Sequence, residues 1–174
     1  HIFRPEFIRE LLKSIPQESK IISTTGYTSR ELMEIRKETS SKKGKDFYMV
    51  GGMGHSSSVA AGYALSSKKK VFCLDGDGSI LMHLGALRTI GHLGSINLRH
   101  IILNNNSHES VGGQKTNAAG INFEKLSKSI GYKNYFKISK TKEIKKTLNK
   151  FIKTTGPCLL EVKIRNGSLK NLSR

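Results

Sequence analysis

Cysteine is scarce in this sequence: Cys73 and Cys158 are the only two, and each lies inside an apolar run. With no spaced cysteine and histidine cluster, the composition excludes a disulfide scaffold and a structural zinc site. Long hydrophobic runs are lacking as well. No stretch reaches the roughly eighteen apolar residues of a transmembrane helix, and the beginning shows no signal-peptide core. Acidic residues are few, 13 against 30 Lys and Arg, for a net charge of +17. A surplus of that size suits nucleic acid or an anionic surface, but its placement points elsewhere. Residues 1–124 hold 16 basic and 11 acidic residues, whereas 125–174 hold 14 and 2. The excess is spaced among Leu148, Phe151 and Ile152 as on the solvated face of a helix, with few aromatics and no base-reading module. No nucleic-acid partner and no membrane are therefore expected, and the setting expected is cytoplasmic.

What is present is an alternation. Apolar, strand-like runs occur at 21–24, 48–50, 71–74, 100–103, 135–138 and 158–162, with helical spacing at about 4–14, 29–38, 55–66, 80–93, 122–130 and 141–154. Short, nearly continuous strands between helices predict a parallel sheet covered on both faces. The fold class expected is α/β, a three-layer α/β/α domain with about six mostly parallel strands over residues 1–165. Residues 166–174 read as a frayed C-terminal tail, and 40–46 as a solvated connection. Ser29, Asn122 and Thr141 stand where helix caps belong. Met33 and Met82 read as core, and Cys73 as a small buried hydrophobe. His83, His92 and His100 read as structural.

Two glycine-rich turns follow predicted strands, Gly51-Gly52-Met53-Gly54-His55 and Asp75-Gly76-Asp77-Gly78-Ser79. Such turns aim free N–H groups at a phosphate, although a ligand-free βα turn has the same composition. The first nearly fits a dinucleotide fingerprint, with Asp75 downstream to meet a ribose, but Ser57 replaces its third glycine. The second joins a longer pattern. Asp77 and Asn105 are 28 residues apart, the span of one helix and one strand, so a right-handed crossover puts both at the same sheet edge. One carboxylate, one amide oxygen and a backbone carbonyl form the hard, partial shell that Mg²⁺ accepts beside a diphosphate. Asp and Asn are also ordinary turn residues.

Gly76-Asp77-Gly78-Ser79, followed after about 25 residues by Leu103-Asn104-Asn105, resembles the metal and diphosphate signature of thiamin-diphosphate enzymes. Ser23–Leu32, Gly52-Met53-Gly54-His55, Leu74–Ser79 with Leu81–Leu87, and Asn104–Thr116 resemble, more narrowly, the C-terminal domain of phosphonopyruvate decarboxylases. Sulfopyruvate decarboxylases are the nearest competitor. The likeness runs from about residue 7 to 164. It implies non-oxidative decarboxylation of 3-phosphonopyruvate to phosphonoacetaldehyde and CO₂, a step of phosphonate biosynthesis, with thiamin diphosphate and Mg²⁺ as cofactors.

Carried over by residue, the resemblance implies Mg²⁺ on Asp77, Asn105 and the backbone carbonyl of Ser107. It implies diphosphate contacts from Gly76, Gly78 and Ser79, with Thr28 and Ser29 after the first strand. Gly51 would accept from the cofactor's amino group through its carbonyl, and Met53 would wedge beneath the bent cofactor. His55 and His108 are candidates for touching the substrate. No glutamate here matches the one that activates the cofactor, so no catalytic residue is assigned, and a pyrimidine-binding domain or subunit is expected from elsewhere in a hetero- or homo-oligomer. A sulfopyruvate decarboxylase subunit, a nicotinamide oxidoreductase and a non-catalytic cofactor-binding remnant are the alternatives.

Overall fold

The computed structural model describes residues 2–39, 46–170 and 172. Six strands form one sheet in the order β2-β1-β3-β4-β6-β5, every neighbouring pair parallel: β1 (Lys20–Ser23), β2 (Phe47–Tyr48), β3 (Val71–Gly76), β4 (Leu98–Asn104), β5 (Asn134–Ile138) and β6 (Cys158–Lys163). The expectation of about six mostly parallel strands holds, and each predicted run overlaps a strand. β4 lies at the centre and buries all seven residues, as a strand covered on both faces must.

Helices cover both faces. α1 (Arg4–Ser14), α2 (Tyr27–Glu38) and α7 (Ile144–Lys153) pack over one, around Phe7, Leu32, Phe72, Leu103, Phe151 and Leu160. α3 (Ser56–Ser66), α4 (Asp77–Met82), α5 (Ala86–Leu93) and α6 (Phe123–Ser129) take the other, around Ala60, Cys73, Ile90, Ile102 and Phe123. α7 turns Ile144, Leu148, Phe151 and Ile152 inward, which leaves its lysines for solvent as the spacing required.

Five local expectations are corrected. The single helix expected over 80–93 is two, because the chain leaves helical geometry at His83 and resumes after Gly85. Met82, expected in the core, is 64% exposed at the end of α4. Ser29 caps nothing, since α2 begins two residues earlier after Gly26, and Thr141 opens a 3₁₀ turn whose preceding N–H groups are held by the Glu143 carboxylate instead. Asn122 does cap α6, accepting from Lys125 N–H at 3.0 Å. Finally, the C-terminal stretch is docked where it is described. Gly167 and Leu169 donate their N–H groups to Glu109 and Glu31, and Leu169 packs on the core. Of the other terminal and linker expectations, 40–45, 171, 173 and 174 lie outside the described residues.

Candidate functional site

The chain runs from β1 outward to β2 and then returns to place β3 on β1's other side. Strand order reverses there, and the crevice beyond the carboxyl ends at such a point is where open α/β sheets take ligands. A cleft of about 190 Å³ opens at this position, lined by Thr24–Thr28 after β1, Gly76–Ser79 from the end of β3, Leu103 of β4, and Asn105 and Ser107–Val111 beyond it, with Met53, Arg30 and Arg4 of α1 also in the lining. It is smaller than the roughly 300–1,000 Å³ that ligand sites enclose. One end of a cofactor fits it.

Asp77 and Asn105 meet as the crossover argument requires, because Gly76 pairs with Leu103 across β3 and β4. The Asn105 N–H donates to Asp77 Oδ1 at 3.4 Å, and the Thr116 hydroxyl donates to Oδ2. Burial pushes the Asp77 carboxyl above its usual range, more than these two donors and nearby His108 pull it down. It is a buried acid whose direct partners are neutral. Ser107 bridges Lys115 in an antiparallel register carried by His108 N–H to Gln114 and Thr116 N–H to Asn106. That register leaves the Ser107 carbonyl outside the ladder, beside the Asn105 side chain, whose Oδ1 accepts from Ser107 N–H at 3.1 Å. A carboxylate, an amide oxygen and a free carbonyl are hard donors of the kind Mg²⁺ selects.

The phosphate-sized end is equally specific in its shape. At the start of α2 the first N–H with an intrahelical acceptor is that of Arg30, to Gly26, so those of Tyr27, Thr28 and Ser29 have none within the helix. Gly78 sits under the His108 ring, and a Cβ there would collide with that ring and lie 2.8 Å from Thr116 Cγ2. Ser79 fastens three turns together: its hydroxyl pairs with Thr24 Oγ1 at 2.9 Å and accepts from Gly54 N–H at 3.1 Å. Gly54 holds φ at +91° directly against α4, a conformation and an approach that a side chain resists.

The other sequence candidates divide. Thr28, Met53, Gly76 and His108 line the cleft. Ser29 does not: it is buried, its hydroxyl donating to the Thr24 carbonyl at 2.6 Å and pairing with Ser23 Oγ, so it supports the turn from behind. Gly51 is exposed in the turn beyond Met53. His55 lies outside the lining, its ring 4.6 Å from that of His83.

Sequence reasoning missed Arg4, Arg30, Glu109 and Thr116. Arg30 lies inside the Ser23–Leu32 stretch and Glu109 and Thr116 inside Asn104–Thr116, the stretches that carry the resemblance, whereas Arg4 had no local signal. Arg30 has no carboxylate partner among the described residues, and its guanidinium lies 6.0 Å from the Tyr27 ring. Arg4 pairs with Glu31 at 2.6 Å and Glu109 at 3.2 Å. A second buried cluster, Cys73, Asp75 and His100, forms between β3 and β4. It is internally satisfied: His100 bonds Tyr132 Oη at 2.8 Å and Asp75 Oδ2 at 3.3 Å, and burial pushes the Cys73 thiol up. Asp75 is fully buried there and also accepts from Gly76 N–H, so it cannot meet a ribose. The dinucleotide alternative loses its acidic residue.

Comparison with known proteins agrees with this geometry. Residues 25–162 match the family described as thiamine pyrophosphate enzyme, C-terminal TPP binding domain. Over 167 residues, 96% of this chain, the sequence is 36% identical to a phosphonopyruvate decarboxylase of Streptomyces viridochromogenes and 37% identical to one of Streptomyces hygroscopicus. It spans 41% and 40% of those proteins' lengths. It is also 36% identical to the sulfopyruvate decarboxylase subunit beta of Methanocaldococcus jannaschii, over 74% of this chain and 66% of that one.

Proposed function

This chain belongs to the thiamine pyrophosphate enzymes, as their C-terminal TPP-binding domain, and on that premise we propose that it supplies the diphosphate- and Mg²⁺-binding half of a 2-oxo acid decarboxylase. The substrate is a three-carbon 2-oxo acid with an anionic head group, 3-phosphonopyruvate first. Asp77, Asn105 and the Ser107 carbonyl hold the cation. Gly76, Gly78, Ser79, Thr28 and the free N–H groups opening α2 receive the diphosphate, while Ser29 steadies the turn behind them. Met53 supports the ring system, and the Gly51 carbonyl accepts from its amino group. When bound, thiamin diphosphate supplies the nucleophilic carbon and the electron sink for loss of CO₂.

The observation that carries this reading is Asp77: a buried carboxylate raised by desolvation, hydrogen-bonded by the neutral Asn105 N–H and Thr116 hydroxyl. Such a group is stabilised by a cation brought from outside.

The rest of the site comes from a partner domain or subunit in an oligomer. The small cleft supports this, as does the 40% span of the decarboxylase relatives. Glu109 is the one glutamate among the lining residues, and it is already engaged by Arg4, Asn105 and Gly167. Apolar side chains stand exposed around the mouth, Val50 at 95% beside the Gly51–Gly54 turn and Val111 at 69% on the cleft loop, where a partner would cover them. Neither described cysteine is in a disulfide and both are buried, which supports a cytoplasmic setting, and no helix among the described residues is long and apolar enough to cross a membrane.

Turnover of phosphonopyruvate and sulfopyruvate by the full-length protein or native complex, with thiamin diphosphate and Mg²⁺, tests the proposal. Faster CO₂ release from phosphonopyruvate is expected. Faster release from sulfopyruvate moves the chain to the second reading, favoured by its match to a separate beta subunit. Cofactor binding without turnover of either acid identifies a non-catalytic remnant, and absence of cofactor binding removes both decarboxylase readings.

A further inference from the structure

We infer that Glu109 is the positioning residue for Asn105, fixing its amide so that oxygen rather than nitrogen is offered to the cation. The inference rests on the reading of Asp77 and Asn105 as ligands. An asparagine amide is nearly symmetric in shape, and a half-turn exchanges a ligating oxygen for an NH₂ group that repels a cation. Here two neighbours decide the orientation. Asn105 Nδ2 donates to Glu109 Oε2 at 3.3 Å, and Oδ1 accepts from Ser107 N–H at 3.1 Å. Flipping the amide would set oxygen against carboxylate and NH₂ against N–H.

The adjacent asparagine uses the same device. Asn104 Nδ2 donates to Glu161 Oε1 at 2.7 Å, and its Oδ1 accepts from Asn106 N–H at 3.2 Å. Asn104 is buried with no opening to the cleft, so its glutamate locks structure. Asn105 lines the cleft, so its glutamate orients a ligand.

Glu109 is itself held by two remote segments. Arg4 Nη1 donates to Oε2 at 3.2 Å and Gly167 N–H donates to Oε1. Arg4 also serves Glu31 through Nε at 2.6 Å. One guanidinium facing two carboxylates leaves a net negative charge next to the ligand set, which favours a dication. The docked segment at 167–169 thereby connects to the cleft loop through a single carboxylate.

The test uses the full-length protein or native complex, with Mn²⁺ as probe and thiamin diphosphate present, and reads metal affinity by electron paramagnetic resonance. In Glu109→Gln one acceptor oxygen replaces two while three donors remain. Mn²⁺ affinity is expected to fall about 10- to 100-fold, the usual effect of removing a group that orients a ligand. In the Asn105→Asp background there is no amide to orient, so Glu109→Gln is expected to cost only the smaller loss that comes from removing its charge near the cation. Equal losses in both backgrounds, or no loss in either, overturn the inference. Should Glu109→Gln fail to fold, Glu109→Asp replaces it, with a loss required beside Asn105 and none in the Asn105→Asp background. If the parent binds no Mn²⁺, or binds it equally after Asp77→Ala, the ligand reading falls and this inference with it. If Asp77→Ala abolishes binding and Glu109→Gln does not alter it, only the inference about Glu109 falls.

Discussion

Two buried acidic regions lie side by side at the carboxyl end of the sheet and solve the same problem differently. Glu31 and Glu109 sit against Arg4, a cation supplied by the chain itself, with backbone N–H groups of 167–169 satisfying the remaining oxygens. Asp77 sits against a hydroxyl and an amide N–H, neither of them charged. The first region is complete within the fold and holds elements together. The second is incomplete within the fold, and its incompleteness is what makes it a site. A buried carboxylate without a cation is worth more to binding than to stability.

That contrast can be broken from either side. Arg4→Met leaves two carboxylates in place of a pair, and a loss of about 3–5 kcal/mol in unfolding free energy is expected by denaturant titration. Asp77→Ala should leave stability comparatively intact while weakening Mn²⁺ binding in the presence of thiamin diphosphate roughly 100-fold or more, beyond the loss expected from a group that only orients a ligand. Asn104→Ala removes a buried hydrogen-bonded amide outside the cleft. It should lower stability by about 1–3 kcal/mol and disturb metal affinity less than Glu109→Gln does.

The smallest effect is the most diagnostic. Without metal, Asp77→Asn relieves a desolvated charge, while the Thr116 hydroxyl can turn to accept. A thermal midpoint about 2–4 °C higher is expected for each kcal/mol relieved, the opposite of what Glu31→Gln should do. The pH dependence follows the same sign. Burial holds the folded Asp77 carboxyl above its ordinary 3.8, so the native state binds the proton more tightly than the unfolded chain. This group's contribution to metal-free stability therefore rises as pH falls through the raised value toward 3.8. Mn²⁺ affinity falls over that same window, because proton and metal compete for one carboxylate. A calorimetric pH series with and without Mn²⁺ checks both slopes, and parallel slopes would remove the distinction between the two regions.

Much of the fold was legible because it rests on periodic burial. Continuous apolar runs marked the strands, and α7 showed its apolar stripe among lysines. The pair Asp77 and Asn105 was legible because a crossover of fixed hand returns residues of that spacing to one edge. Met82 misled because an apolar residue at helical spacing ordinarily faces the core, whereas here α4 ends at Met82 and leaves it exposed. Ser29 misled for a related reason. A small polar residue before a charged run suggests a cap, but Gly26 had already turned the chain, and the hydroxyl points back to Thr24.

The sequence by itself determined the order of strands and helices, the turn that carries Asp77, and the asparagine pair that follows β4. Those features depend on neighbours in sequence, on period and on chirality. Only the tertiary structure decided that Thr116 holds the Asp77 carboxylate, and that Arg4, Glu31, Glu109 and Gly167 converge. These groups meet across separations of up to 163 residues, and no local pattern encodes a hydrogen bond between elements that become neighbours only when the sheet has formed.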